Sequence, residues 1–195
     1  MSGTETFRPR SGLIQAGAGV VLCVLFVWST MYEGSARNKV VSALVALSII
    51  GYLYAFLIRP KIIFSNSGMV IINPVSEYSI AWTEVSSVDN RWALTIHTDQ
   101  FVAQSWAATV SGRPRRSIHE SEVRGLELTD GESIRVADAP YSNSGAAIYR
   151  VRMYMKRHAE SGIAEVHPTY ARRNHLPWTV ATGILVLAIV INFLH

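Results

Sequence analysis

Three long apolar runs constrain this chain more than any motif in it. Residues 13–32 (LIQAGAGVVLCVLFVWSTMY), 40–58 (VVSALVALSIIGYLYAFLI) and 177–194 (PWTVATGILVLAIVINFL) carry no charged side chain. At a rise of about 1.5 Å per residue, a helix of about twenty residues crosses a bilayer core of roughly 30 Å. Composition agrees: 49% of residues are hydrophobic and only 16% charged, against roughly 25% charged in ordinary soluble domains. Arg8 and Arg10 precede the first run as they would a signal peptide. That run is long for a signal core, however, and its end, WSTMYEG, makes a poor small-residue cleavage site, so a retained helix is expected.

The runs divide the chain into a polar tail (1–12), a helical hairpin (13–58), a domain (59–160), a linker (161–176) and a final helix (177–195). Residues 33–39 are too short for anything but an antiparallel connection. Pro177 suits the first turn of a helix and Trp178 an interfacial belt. Gly17, Gly19, Gly51, Ala55 and Gly183 are the expected helix-packing positions, because small residues let helices approach closely in lipid. Arg8, Arg10, Arg59, Lys61, Arg172 and Arg173 flank the runs on the domain side, and Arg37 and Lys39 on the other. Basic residues favour the inner side, which predicts a multi-pass cell-membrane protein with a cytoplasmic N-terminus and domain and an outer C-terminus.

The domain reads as α+β. Residues 61–64 form a strand, SNSG at 65–68 a turn, and 69–73 a returning strand ended by Pro74. Residues 77–81 alternate as a half-buried strand does. Trp82, Val85 and Val88, three apart, predict one helical turn plugging a sheet. Residues 91–98 and 101–106 predict a hairpin about Asp99-Gln100, and 127–136 another about Asp130-Gly131. Residues 142–159 predict an amphipathic helix capped by Ser142 or Ser144, its stripe made of Ile148, Val151 and Met155 with Ala147 and Tyr154 to one side.

The strand pair after a membrane hairpin, the Ser-Gly turn, the segment built on Ile80, Trp82, Glu84, Val85 and Val88, and the terminal helix together resemble the bacterial pleckstrin-homology-like (PH-like) domain. The type is that of the actinobacterial low-molecular-weight antigen six family, and the likeness covers residues 59–108. It implies a bent antiparallel sheet closed by a helix, and binding or assembly rather than catalysis. GRPRRSIHESEV, after Val110, departs from that pattern as an insertion or loop. The layout of span hairpin, domain and final span is also similar to accessory proteins of the actinobacterial cytochrome bc–oxidase supercomplex. That similarity implies respiratory subunits as partners and no haem or copper of the chain's own.

Chemistry is sparsely marked. The single cysteine, Cys23, lies among apolar residues and behaves as a small hydrophobe. His97, His119, His158, His167 and His175 are scattered, with only Glu120 and Glu122 beside His119, and neither HExxH nor HxH occurs. There is no nucleophile elbow, phosphate loop or dinucleotide fingerprint. A net charge of +4 is too small to argue for nucleic acid. The turn at 65–68, where PH domains grip inositides, holds no cation; Arg113, Arg115, Arg116, Lys156 and Arg157 are the alternative contacts for anionic lipid. The expectation is a non-catalytic membrane accessory or scaffold without cofactor or metal, docked into a larger complex. The rival is a stand-alone lipid-binding or self-associating module.

Overall fold

The computed structural model describes residues 4–89, 92–109, 143–161 and 167–193. Helices α1 (Arg10–Glu33), α2 (Ala36–Leu53, prolonged by a π turn at Tyr54–Ile58) and α4 (Leu176–Phe193) are long and apolar enough to cross a membrane. The connector is tight: Ser35 caps α2 by accepting from the Asn38 N–H, and the Gly34 N–H closes α1 on Thr30 O.

Helix α2 is central, packed against α1 and α4. A Cβ on Gly51 would stand 3.0 Å from the Ala181 Cβ, one on Gly19 would meet the Leu53 side chain, and Ala55 is fully buried. These three of the expected packing residues join helices. Gly17 and Gly183 do not, having nothing within 4 Å of such a Cβ, whereas Gly12 abuts the Leu57 carbonyl. Hydroxyls reinforce both contacts. Thr30 and Ser42 bond at 2.8 Å between α1 and α2; Ser48 donates to Ala181 O at 2.8 Å and Tyr52 bonds Thr182 at 2.7 Å between α2 and α4. Such bonds contribute on average about 0.6 kcal/mol each.

Two antiparallel sheets follow. Strands β1 (Glu5–Phe7), β2 (Lys61–Phe64), β3 (Gly68–Ile72), β4 (Ser76–Ala81) and β8 (Tyr170–Arg173) pair in the order β1-β2-β3-β4-β8; β5 (Ser87–Asp89), β6 (Ala93–His97) and β7 (Val102–Thr109) form the second sheet. Helix α3 (Asn143–Ser161) packs on β6 and β7. Its stripe of Ala147, Ile148, Val151 and Tyr154 is buried against Ile62, Phe64, Ile80, Leu94 and Ile96. Tyr154 stacks on Phe64 and Trp82, with ring centroids 5.5 and 6.2 Å apart.

Several expectations change. By sequence, residues 1–12 read as a tail and 161–176 as a linker, yet Glu5–Phe7 and Tyr170–Arg173 are strands. Segments this short have no legible period; backbone pairing to β2 and β4 orders them. Trp82, Val85 and Val88 do not share one helical turn. A 3-10 turn covers Trp82–Glu84, Val85 is extended, and Val88 pairs with Ile96 once Ser86 N–H has bonded His97 O. Ser144 lies within the first turn of α3 rather than capping it. The hairpin at 127–136, the insertion after Val110, and Arg91 and Ser142 lie outside the described residues.

The turn Asn73-Pro74-Val75 between β3 and β4 ties these parts together. The Asn73 carboxamide, itself buried, donates to Gln104 O at 2.7 Å and accepts from the Trp106 N–H at 2.9 Å. It serves two backbone groups of β7 as a neighbouring strand would, where β7 bulges away from β6. Replacing Asn73 with Ala should leave both groups unpaired and cost about 2–4 kcal/mol, seen as a lower denaturation midpoint for the full chain in detergent. In a Cys23→Ser background, Gly51→Cys with Ala181→Cys should form an intrachain disulfide, visible on a non-reducing gel, since the 3.0 Å between the two Cβ positions needs only a small opening of the helix pair to reach the roughly 3.5 Å at which disulfides begin. The pair Gly17→Cys and Gly183→Cys should not.

Candidate functional site at the helix–sheet junction

Strand direction determines where the cations lie. β1 runs into α1, β2 runs out of α2, and β8 runs into α4. All three therefore meet their helices at one end of one sheet. Arg8 and Arg10 lie at the start of α1, Arg59 and Lys61 after α2, and Arg172, Arg173 and His175 before α4.

The junction is braced. Arg59 Nη1 donates to Asn73 O at 2.6 Å and Pro74 O at 2.7 Å, and the Asn174 N–H donates to Val75 O at 2.9 Å. Both α2 and α4 are thus fastened to the same turn that Asn73 fastens to β7. The Phe56 ring, at the end of α2, lies 6.0 Å from that of Trp106 on β7.

Two cavities open here. One, of about 250 Å³, is lined by Arg8, Tyr54, Ile58, Arg59, Lys61, Ile72 and Glu77. The other, of about 410 Å³, is lined by Val75, Ser76, Tyr78, Ala171, Arg172, Arg173 and His175. Glu77 faces Arg172 across the β4–β8 ladder and accepts from the Tyr170 hydroxyl at 3.3 Å. Burial, then the Glu77 charge, raise the Tyr170 phenol above its ordinary range. Among the described residues, the Arg8 and Lys61 side chains make no ion pair or hydrogen bond.

The residues singled out by sequence lie elsewhere. Ile80 and Trp82 are buried, Val85 and Val88 pack at the core's edge, and Glu84 is exposed. The Trp82 Nε1–H donates to Ser65 O at 2.9 Å, closing the first hairpin. Lys156 and Arg157 are exposed on α3 at the end away from the spanning helices, where His158 Nδ1 is 3.0 Å from Asn66 O. Arg157 lies over the Tyr154 ring at 5.6 Å. Arg113, Arg115, Arg116, His119, Glu120 and Glu122 lie outside the described residues. Among the described residues no three His, Cys, Asp or Glu side chains gather as metal ligands do. Sequence reasoning used Arg8, Arg59 and Lys61 only to orient the helices; the short spacing of Arg59 and Lys61 was visible, but the approach of Arg8 depends on β1 pairing with β2.

No family model, curated protein or solved structure matches the chain.

At the far end, Arg150 clamps Glu5 at 2.6 Å and lies over the Phe7 ring at 5.4 Å. Tyr154 OH donates to Glu5 at 3.4 Å. Burial, then the Glu5 carboxylate, raise the Tyr154 phenol above the ordinary tyrosine value, outweighing Arg157 and Arg150. Folding therefore favours the protonated phenol. This contribution is intact below about pH 10 and is lost as pH rises through the raised value. The stability of the full chain should fall in that alkaline window, and less steeply in Tyr154→Phe, as pH-resolved unfolding measurements would read.

Proposed function

We propose that this protein is a non-catalytic membrane scaffold: its helices dock sideways against other membrane proteins, and a PH-like domain holds a fixed position on the cytoplasmic face. The observation that carries this reading is the bracing of α2, α4 and β7 by one turn, Asn73-Pro74-Val75. A domain on a flexible tether would need no such bracing; one that must hold a set angle to its helices does. The two sheets with α3 across them support the PH-like reading. The basic excess at the domain side supports the cytoplasmic one.

The helices leave much apolar surface free for neighbours. Because α2 takes both internal contacts, α1 exposes Val21, Leu22 and Leu25, and α4 exposes Val186, Leu187 and Val190. Lipid covers such faces by default. Docking adds subunits in place of lipid, and the layout resemblance points to cytochrome bc and oxidase subunits as the partners.

Tagged full-length protein purified from native membranes in mild detergent should carry foreign membrane subunits in stoichiometric yield. Haem bands in its spectrum would identify the complex as respiratory. A clean homogeneous preparation, without haem or other subunits, would overturn docking and leave a self-associating or lipid-binding module.

A further inference from the structure

From the convergence of Arg8, Arg59 and Lys61 on the smaller junction cavity, we infer that this cavity is a binding site for the phosphate of an anionic phospholipid headgroup. The inference rests on the three helices crossing a membrane, and not on the identity of any docked partner.

Charge is the first argument. Three cations and one carboxylate, Glu77, line the space. The carboxylate is already engaged, accepting from Tyr170 and facing Arg172. Arg8 and Lys61 find no ion pair among the described residues. Arg59 spends Nη1 on the turn carbonyls, which fixes its guanidinium in place and leaves its charge unneutralised. Like charges gathered around a concavity repel one another, and a bound anion removes that cost. A guanidinium–phosphate contact is also a charge-assisted hydrogen bond, stronger than a neutral one.

Position is the second argument and selects the source of the phosphate. Arg8 lies just before α1 begins at Arg10, and Arg59 directly follows the π turn that ends α2 at Ile58. The cavity therefore stands where the apolar helices end, at headgroup depth for a spanning helix. Tyr54, half exposed on the π turn, and Ile58 form its helix-side wall. Tyrosine favours that interface, where its ring meets apolar chains and its hydroxyl meets headgroups. At about 250 Å³, the space falls below the roughly 300–1,000 Å³ of small-molecule pockets. It accepts a headgroup, with the acyl chains lying outside along the helices.

The test uses purified full-length protein in a zwitterionic detergent, offered equal amounts of phosphatidylglycerol and phosphatidylcholine of matched chains, with bound lipid counted by native mass spectrometry. Wild type should retain the anionic lipid in clear preference. In Arg8→Gln/Lys61→Gln that preference should fall about tenfold or more, since each cation near an anionic surface contributes roughly 1 kcal/mol. Lys156→Gln/Arg157→Gln, at the far end of the domain, should leave it unchanged. Arg8→Gln alone, at an exposed position, provides a milder variant and should give a partial loss should the double variant not fold. Equal retention of the two lipids by wild type, or the same preference in wild type and the Arg8 variants, would overturn the site. Displacement of phosphatidylglycerol by millimolar inorganic phosphate as effectively as by lipid would overturn the lipid assignment in favour of a soluble anion.

Discussion

The turn Asn73-Pro74-Val75 is the constraint on which the rest of this structure depends. Its three carbonyls and one side chain serve three different parts of the chain. Arg59 reaches two carbonyls from the end of α2, Asn174 reaches the third from the start of α4, and the Asn73 carboxamide closes on β7. Peptide groups shielded from water must be bonded or carry a desolvation penalty, and Asn73 and Pro74 of this turn are buried. Here the partners come from the spanning helices and from the second sheet. Satisfying the turn and fixing the domain's position on its helices are the same event.

The five-stranded sheet extends that logic. It is assembled from the segment before α1, the segment after α2 and the segment before α4, so every spanning helix enters or leaves through a strand of one sheet. The basic residues that flank these helices on the domain side are thereby drawn to one end of one sheet. Distributed along the sequence they only orient the chain; gathered by strand pairing they line the two junction cavities. At the opposite end the same sheet is closed by α3, where the Glu5–Arg150 pair and the stacked rings of Phe64, Tyr154 and Trp82 hold the helix down. One end of the domain is polar and faces the helices, and the other is sealed by aromatic packing.

The helical part follows a different economy. With α2 in the middle, close approach is used at Gly51 against Ala181 and at Gly19 against Leu53, and hydroxyl bonds tie α2 to both neighbours. Gly17 and Gly183 carry the same composition signal without a contact in this chain. Small residues permit close packing but do not specify which face is packed. That choice belongs to the arrangement of three helices in a row.

The amino-acid sequence by itself determined the three apolar spans, the hairpin between the first two, the strands from Lys61 to Ala81 and the buried stripe of α3. Each rests on a local property: length without charge, period-two alternation, turn residues, or 3.6-residue periodicity. Only the tertiary structure decided that Glu5–Phe7 and Tyr170–Arg173 are strands, that Val88 pairs with Ile96 instead of continuing a helical turn, and that Arg8 meets Arg59 and Lys61. A three- or four-residue segment has too few side chains to show a period. Its conformation is set by the backbone donors and acceptors it finds across the sheet, which lie dozens of residues away. The candidate site was hidden for that reason: its residue types were legible, but their convergence is a consequence of strand pairing.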